Sequence, residues 1–466
     1  MGNSVAFIVL LSWPAVAGVL FSRLSVERAI IWTLLGGYLL LPPQVSLDLP
    51  MIPSLNKDSV AALSALVGAL VTNRGAAAGP RLEPWTLVLV ALMVAAPAVT
   101  AVSNPEPLAE GITYRPGLSY YDGFTGAIGG LLTLVPFLLG YRFLSGTHSI
   151  ELFLQSLVVA ALAYSVPMLL EIRLSPQLNV WVYGFFAHDF SQTIRYGGHR
   201  PMVFLNHGLW VAMFAAMAVM AAATLLRLGR GAPGNGRRRL VLVWLALVLV
   251  LCKSLAAVLY AALLVPVILL VPPRRTVMLA GLLAALVFAY PMARSMGLVP
   301  VDALVELAAG FDEERARSLA FRFDNEQMLL DRALEKPLSG WGGWGRNQIV
   351  DPVTGRYASI ADGQWIVQMG MHGIMGYLAM FGLLCGAVLR VARLAWRGGA
   401  VEVAVGALAL IMAASLIDLI PNATLTTLTW LCAGALAGRA ARSREAADDP
   451  APALRSGRLP PLRTVM

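Results

Sequence analysis

Three basic side chains crowd the stretch HDFSQTIRYGGHRPMVFLNHG at 188–208: Arg195, His199 and Arg200. They arrive just before an apolar run, so an anion held at the end of a membrane helix would meet them. Arginine forks match phosphate oxygens two at a time and stay charged at any physiological pH. His188, His199 and His207 raise zinc as an alternative, but spacings of 11 and 8 residues do not place them on one helical face. His199 with Arg200 reads better as an anion-binding pair, and no metal site is expected.

Lys253 is a second chemical signal. It interrupts the apolar run 240–271 and is one of only 3 lysines, against 32 arginines. A charge inside such a run is a functional-site hypothesis by default. Snorkelling of its ammonium to the interface is the competing reading. The stretch 294–363 adds eight cations: Arg294, Arg315, Arg317, Arg322, Arg332, Lys336, Arg346 and Arg356. They form either a solvated surface or part of an anion site. That stretch closes with SGWGGWGRNQ at 339–348 and then ADGQW, whose Asp362 is the lone carboxylate before the next apolar run. The glycines suit a tight turn and the two Trp suit the headgroup level, so the turn reads as an interface anchor. Asp418, in SLIDLIPNAT, fits helix-end capping together with Asn422 as well as it fits catalysis.

The elements that position these residues follow from composition. The 466 residues are 58% hydrophobic and 13% charged, with a mean hydropathy of +0.72. A soluble domain is about one quarter charged, so an all-α polytopic membrane protein is expected. Spans are expected at 4–21, 29–42, 59–72, 84–103, 122–140, 152–170, 202–226, 240–252, 254–271, 276–293, 364–388, 400–418 and 422–438, which is 12 to 13 helices. The first lacks a basic leader and a small-residue cleavage site, so it reads as a retained span. Domain boundaries follow: membrane helices over 1–293 with an outer loop at 171–201, a large loop at 294–363, membrane helices over 364–438, and a disordered cytoplasmic tail over 439–466.

Net charge of +9 does not point to nucleic acid, because the cations recur in short loops at alternate ends of the apolar runs. Arg23 and Arg28, Arg74 and Arg81, Arg142, Arg227 to Arg239, Arg274 and Arg275, and Arg390 to Arg397 mark the cytoplasmic side. The loops 43–58, 104–121, 171–201 and 294–363 then face outward, with the N-terminus outside. The run 240–271 would be about 48 Å long as one helix, too long for a ~30 Å core, so a hairpin with Lys253 at its outer apex is expected. Residues 312–335 read as an amphipathic helix, with Leu319, Phe323, Leu330 and Leu334 on one face and Arg315 and Arg322 on another, stopped by Pro337. Cys252, Cys385 and Cys432 lie in apolar runs without metal-type spacing.

The stretches RSLAFRFDNEQMLLDRALEKPLSGWGGWGRN and ADGQWIVQMGMHGIMGYLAMFGLL resemble the large loop and following helix of the O-antigen ligase and polysaccharide polymerase family. Lys253–Ser254 is similar to that family's Ser-Arg helix pair, and YGGHRPMVFLNHG to its Arg-containing entrance to an earlier span. The resemblance covers about 196–376. It implies a membrane glycosyltransferase of GT-C-like architecture in the bacterial inner membrane, working on the periplasmic face without cofactor, metal or nucleotide sugar. The donor would be a glycan on undecaprenyl diphosphate and the acceptor a hydroxyl of another lipid-linked glycan or of lipid A core. Partners would include a chain-length regulator and exporter proteins.

Carried over by position, Arg200 and Lys253 would hold the diphosphate, with Arg322, Arg346, His199 and Arg195 as further donor-binding candidates and Asp362 as the base. Lys253 stands where the family has an Arg, which keeps the charge but loses the fork. Asp362 stands where it has a His, and a carboxylate of ordinary acidity is a weak base until burial raises it. Both departures point toward an exopolysaccharide-type polymerase rather than a lipid A ligase. A lipid-linked glycan transporter is the rival from another class; such folds favour internal repeats and broken helices, and the sequence shows neither clearly.

Overall fold

A computed structural model describes residues 2–48, 52–72, 79–195, 197–231, 233–310 and 312–448. Arg74, Tyr196 and the tail beyond Asp448 therefore lie outside the described residues, as does the side chain of Arg315. The chain is mostly helical. In order come α1 (Ser4–Arg23), α2 (Val26–Leu40), α3 (Lys57–Thr72), α4 (Pro84–Val102), α5 (Tyr120–Phe143), α6 (Thr147–Leu174), the short α7 (Leu178–Tyr183) and α8 (Gly208–Leu228). Then follow α9 (Asn235–Leu251), α10 (Leu255–Leu270), α11 (Pro273–Ser295), α12 (Val301–Ala309), α13 (Glu313–Glu335), α14 (Gln364–Trp396), α15 (Val403–Asp418) and α16 (Thr427–Asp448). The only strands among the described residues form two-stranded hairpins.

Among the described residues seven helices are long and apolar enough to cross a membrane: α1, α4, α5, α6, α8, α11 and α14; α10 and α15 are shorter apolar helices. The chain is a multi-pass membrane protein. The expected intervals for 12 to 13 spans each coincide with a helix, but α2, α3, α9 and α16 do not meet the same length and hydropathy measure. α8 and α15 are buried along nearly their whole length, whereas α1 turns Ile8, Leu11 and Val19 outward. The core therefore sits around α8, α15 and α16, with α1 and α4 at the lipid-facing edge.

α5 and α16 pack at backbone contact. A Cβ on Gly434 would stand 2.0 Å from the Phe137 carbonyl oxygen, and one on Gly438 would stand 2.2 Å from that of Tyr141. Gly434 and Gly438 share one face of α16 four residues apart, the small-residue spacing that lets membrane helices approach closely. α16 also continues to Asp448 as helix, past the expected start of the tail at 439.

The 240–271 run is a hairpin. It breaks at Cys252–Ser254, with Lys253 at φ +54, a conformation uncommon outside glycine. Its apex meets the start of α8, because Arg200 donates to the Lys253 carbonyl oxygen at 3.1 Å. Its far end meets the finish of α8, where Arg227 donates to the Ile268 and Val271 carbonyls at 2.6 Å each.

These contacts sort the molecule into two ends. One carries the described parts of the loops 43–56, 103–119, 175–207, 296–363 and 419–426. The other is tied by Glu83 to Arg390 and Arg444, and by Arg439 to Glu402 at 2.7 Å. Every outward loop expected from the charge pattern lies at the first end.

α13 is the amphipathic helix expected over 312–335, but its packed face is rotated. Ala316, Leu329, Leu330 and Ala333 are buried against its neighbours, while Leu334 is 46% exposed. Glu326 sets that rotation: it accepts from Arg294 at 2.9 Å and from Tyr290 at 2.8 Å, pinning α13 to α11. Burial raises the Glu326 carboxyl above its ordinary value.

Candidate functional site

At the loop-rich end the structure brings four of the expected residues together. Ile194–Arg195 pairs with Gly198–His199 in a short hairpin. Lys253 reaches across to donate its Nζ to the Arg195 carbonyl at 3.0 Å, and Arg200 donates to the Lys253 carbonyl. The fit depends on Gly198, where a Cβ would stand 2.3 Å from Lys253 Nζ. His199 Nδ1 is buried without a hydrogen-bond partner. Among the described residues no ion pair neutralises Arg195 or Lys253, so their charge is available to an incoming anion. His207, the N-cap of α8, is pushed down to about 4 by burial, to which the charges of His188, Arg200 and Arg195 add.

A buried carboxylate that the sequence reading passed over holds this segment in place. Glu171, near the end of α6, accepts from the backbone N–H of Met202 and Val203 at 2.7 Å each and from Leu178 at 3.0 Å. Val203 sits at φ +52, so Glu171 fixes a turn that the backbone alone disfavours. An acid inside an apolar run was the available signal.

Arg322 and Asp362, expected from separate stretches, are partners. Arg322 Nε lies 3.9 Å from Asp362 Oδ2, with both side chains about two-fifths exposed (40% and 43%). Arg322 also donates to the Pro421 carbonyl at 3.0 Å and to Asn422 Oδ1 at 3.5 Å. Asp418 lies behind them. It is buried and accepts from Asn422 at 3.0 Å and Thr424 at 2.6 Å, so it organises the 419–426 loop from the end of its helix. Tyr260 lies near the same carboxylate. Asn422 therefore links the buried Asp418 to the Arg322–Asp362 pair. Beside it opens a cavity of about 340 Å³ whose wall includes Gln364, two residues from Asp362, and Asp58, Thr426, Thr427 and Trp430.

Arg346 belongs to neither group. It is 2% exposed, and its guanidinium donates to three backbone carbonyls: Trp341 at 3.2 Å, Pro116 at 2.8 Å and Glu106 at 3.1 Å. It clamps the 103–119 loop to the 339–348 turn, with each of its three guanidinium nitrogens engaged and the group buried away from an incoming diphosphate. Arg332 does similar service, pairing with Glu110 at 2.7 Å and lying 3.6 Å over the Trp341 ring.

The Gly-Trp turn is not an interface anchor on its Trp341 side, since that ring is buried. The turn instead docks into a break in α14. Gly373 stands at φ +63, ψ −162, a region open essentially to glycine alone, and four backbone groups lose their helical partners there. Trp341 and Gly342 donate to the Gly370 and Met371 carbonyls at 2.8 and 2.9 Å. Ile374 and Met375 donate to the Pro337 and Leu338 carbonyls at 2.7 and 3.4 Å. Each orphan finds a partner in 337–342, as irregular backbone within a membrane helix requires. The sequence signal was glycine on both sides of the junction.

His188 and His207 stack edge to face at 4.7 Å, yet among the described residues no three His, Cys, Asp or Glu side chains are grouped to hold a metal ion. No protein-family model matches the chain, and no curated protein matches it in sequence.

Proposed function

We propose that the chain is a membrane-embedded glycosyltransferase that lengthens a glycan carried on undecaprenyl diphosphate, at the loop-rich end of the helix bundle. The observation that carries this reading is the cluster of Arg195, His199, Arg200 and Lys253 at the same end of the bundle as the Arg322–Asp362 pair, which Asn422 ties to the buried Asp418. An acceptor hydroxyl attacks the anomeric carbon of the donor. The bond from that carbon to the diphosphate oxygen breaks, and its electron pair leaves with the lipid diphosphate. Asp362, oriented by Arg322, takes the hydroxyl proton. Fixed cations where charge develops lower the barrier most in a site with restricted water. Arg346 has no part in this scheme.

Transport of the lipid-linked glycan is the second reading, and the break in α14 favours it, because discontinuous helices are a hallmark of transporters. Purified protein in liposomes, given a lipid diphosphate-linked repeat and no energy source, separates the two. Glycosyl transfer produces longer lipid-linked chains. Movement of the lipid between leaflets with no lengthening replaces our reading with transport. An acceptor swap in the same assay, lipid A core for lipid-linked glycan, distinguishes polymerase from ligase.

A further inference from the structure

We propose that the cavity beneath Trp344 is a binding subsite for a neutral sugar ring. The cavity, about 390 Å³, lies between α4, the start of α5 and the break in α14, and its walls include Trp344, Asp122, Tyr121, Thr125 and His372. That volume is within the range of small-molecule sites. It shares Pro53 and Ser54 with the cavity that reaches Gln364, so a chain seated here runs toward Asp362.

Four features identify the ligand class. Trp344 is 79% exposed and held at φ +58, a backbone conformation bulky residues avoid. Its indole N–H donates to Asp122 Oδ1 at 3.2 Å, which fixes the ring while leaving its face bare. A lipid-interface anchor needs neither the strained backbone nor the fixed ring. Asp122 Oδ2 already accepts from the Ser119 N–H and hydroxyl at 2.8 and 2.6 Å, whereas Oδ1 takes only the indole and keeps a lone pair for a ligand hydroxyl. The floor at Gly126, Gly342 and Gly343 has no side chains, so a ring can approach the backbone. No Lys or Arg lines the cavity among the described residues, which sets it apart from the cationic cluster and disfavours a phosphate. A flat aromatic face, a carboxylate acceptor and neighbouring hydroxyls suit the C–H face and hydroxyl rim of a pyranose.

This subsite deepens the glycosyl-transfer reading and rests on it only for its role as a glycan-seating position, because binding is read without turnover. The test is saturation-transfer NMR on the full chain in nanodiscs, with maltose, lactose, cellobiose and N,N′-diacetylchitobiose as probes. At least one disaccharide takes saturation at its ring C–H protons. Trp344→Leu, which keeps apolar bulk but no flat face, weakens its binding about tenfold, and Trp344→Phe restores most of it. Asp122→Asn removes the charged acceptor and also weakens binding, and the thermal midpoint of Trp344→Leu matches the parent's. The proposal is overturned if none of the four sugars takes saturation, or if Trp344→Leu binds as the parent does. Sugar binding with no chain lengthening in liposomes leaves the subsite standing and removes the glycosyltransferase reading.

Discussion

Arg346 and Lys253 bring the same charge to the same end of the molecule, and their surroundings give them opposite tasks. A carbonyl oxygen engages each guanidinium nitrogen of the buried Arg346, whereas the ammonium of Lys253 has one carbonyl and no ion pair among the described residues. Arg346→Ala is therefore expected to act on folding. Leaving buried carbonyls unpaired costs about 1–3 kcal/mol each, so its thermal midpoint in detergent falls well below the parent's. Lys253→Ala and Arg200→Ala are expected to lower transfer by about 10²–10³-fold through lost stabilisation of the leaving diphosphate. Lys253→Ala does so with little change in midpoint. Transfer rates measured beside thermal midpoints check the contrast; normal transfer by both cation variants removes the anion-site assignment. Asp362→Asn separates a base from a prop. Loss of a general base costs about 10²–10⁴-fold in turnover, and full activity in that variant leaves Asp362 with a purely structural place beside Arg322.

At the scale of elements, what was legible in the sequence is what hydropathy and charge encode. The apolar runs gave the helices, and the length of 240–271 with arginines at both ends gave the α9–α10 hairpin and its apex at Lys253. The amphipathic pattern gave α13 but not its rotation, because the Arg294–Glu326 pair that sets it joins residues 32 apart in the chain. Arg200 meeting Lys253, and Arg322 meeting Asp362, are likewise tertiary facts that no local pattern contains. The clamp that Arg346 makes is hidden for the same reason: a cation in an outward loop reads as an anion ligand until the carbonyls around it are seen. The α14 break was missed because GMHG sits inside a helical period, and a single Gly at φ +63 leaves no trace in hydropathy. The close packing of α5 on α16 makes its own prediction. Gly434→Leu drives a side chain into the Phe137 carbonyl, and unlike a lipid-facing change such as Leu11→Ala it is expected to prevent accumulation of folded protein. Monodispersity of the two variants by size-exclusion chromatography checks this, and a folded, monodisperse Gly434→Leu protein counts against the packing described.

For the whole molecule, the two ends differ in how they hold their charge. At the loop-rich end Arg195 and Lys253 stand without ion pairs among the described residues, which suits a site awaiting an anion. At the other end Glu83 gathers Arg390 and Arg444 beside Trp85, and Arg227 caps the carbonyls that finish α10. The short loops at that second end carry Arg23, Arg28, Arg142, Arg230, Arg237–Arg239, Arg274 and Arg275, the excess that places a membrane face in the cytoplasm. On the proposed reading the glycan site opens on the opposite face, and the prediction is one of sidedness. The three native cysteines are buried, so single added cysteines report accessibility on a quiet background. Val353, 80% exposed in the 294–363 loop, and Arg237, exposed at the start of α9, mark the two ends. Val353→Cys is expected to react with a membrane-impermeant maleimide in intact spheroplasts, and Arg237→Cys only after permeabilisation. Labelling of both from one side breaks the assignment of ends. The reversed pattern keeps the fold but turns the cationic cluster to the cytoplasm, where it cannot meet a glycan already carried to the outer face.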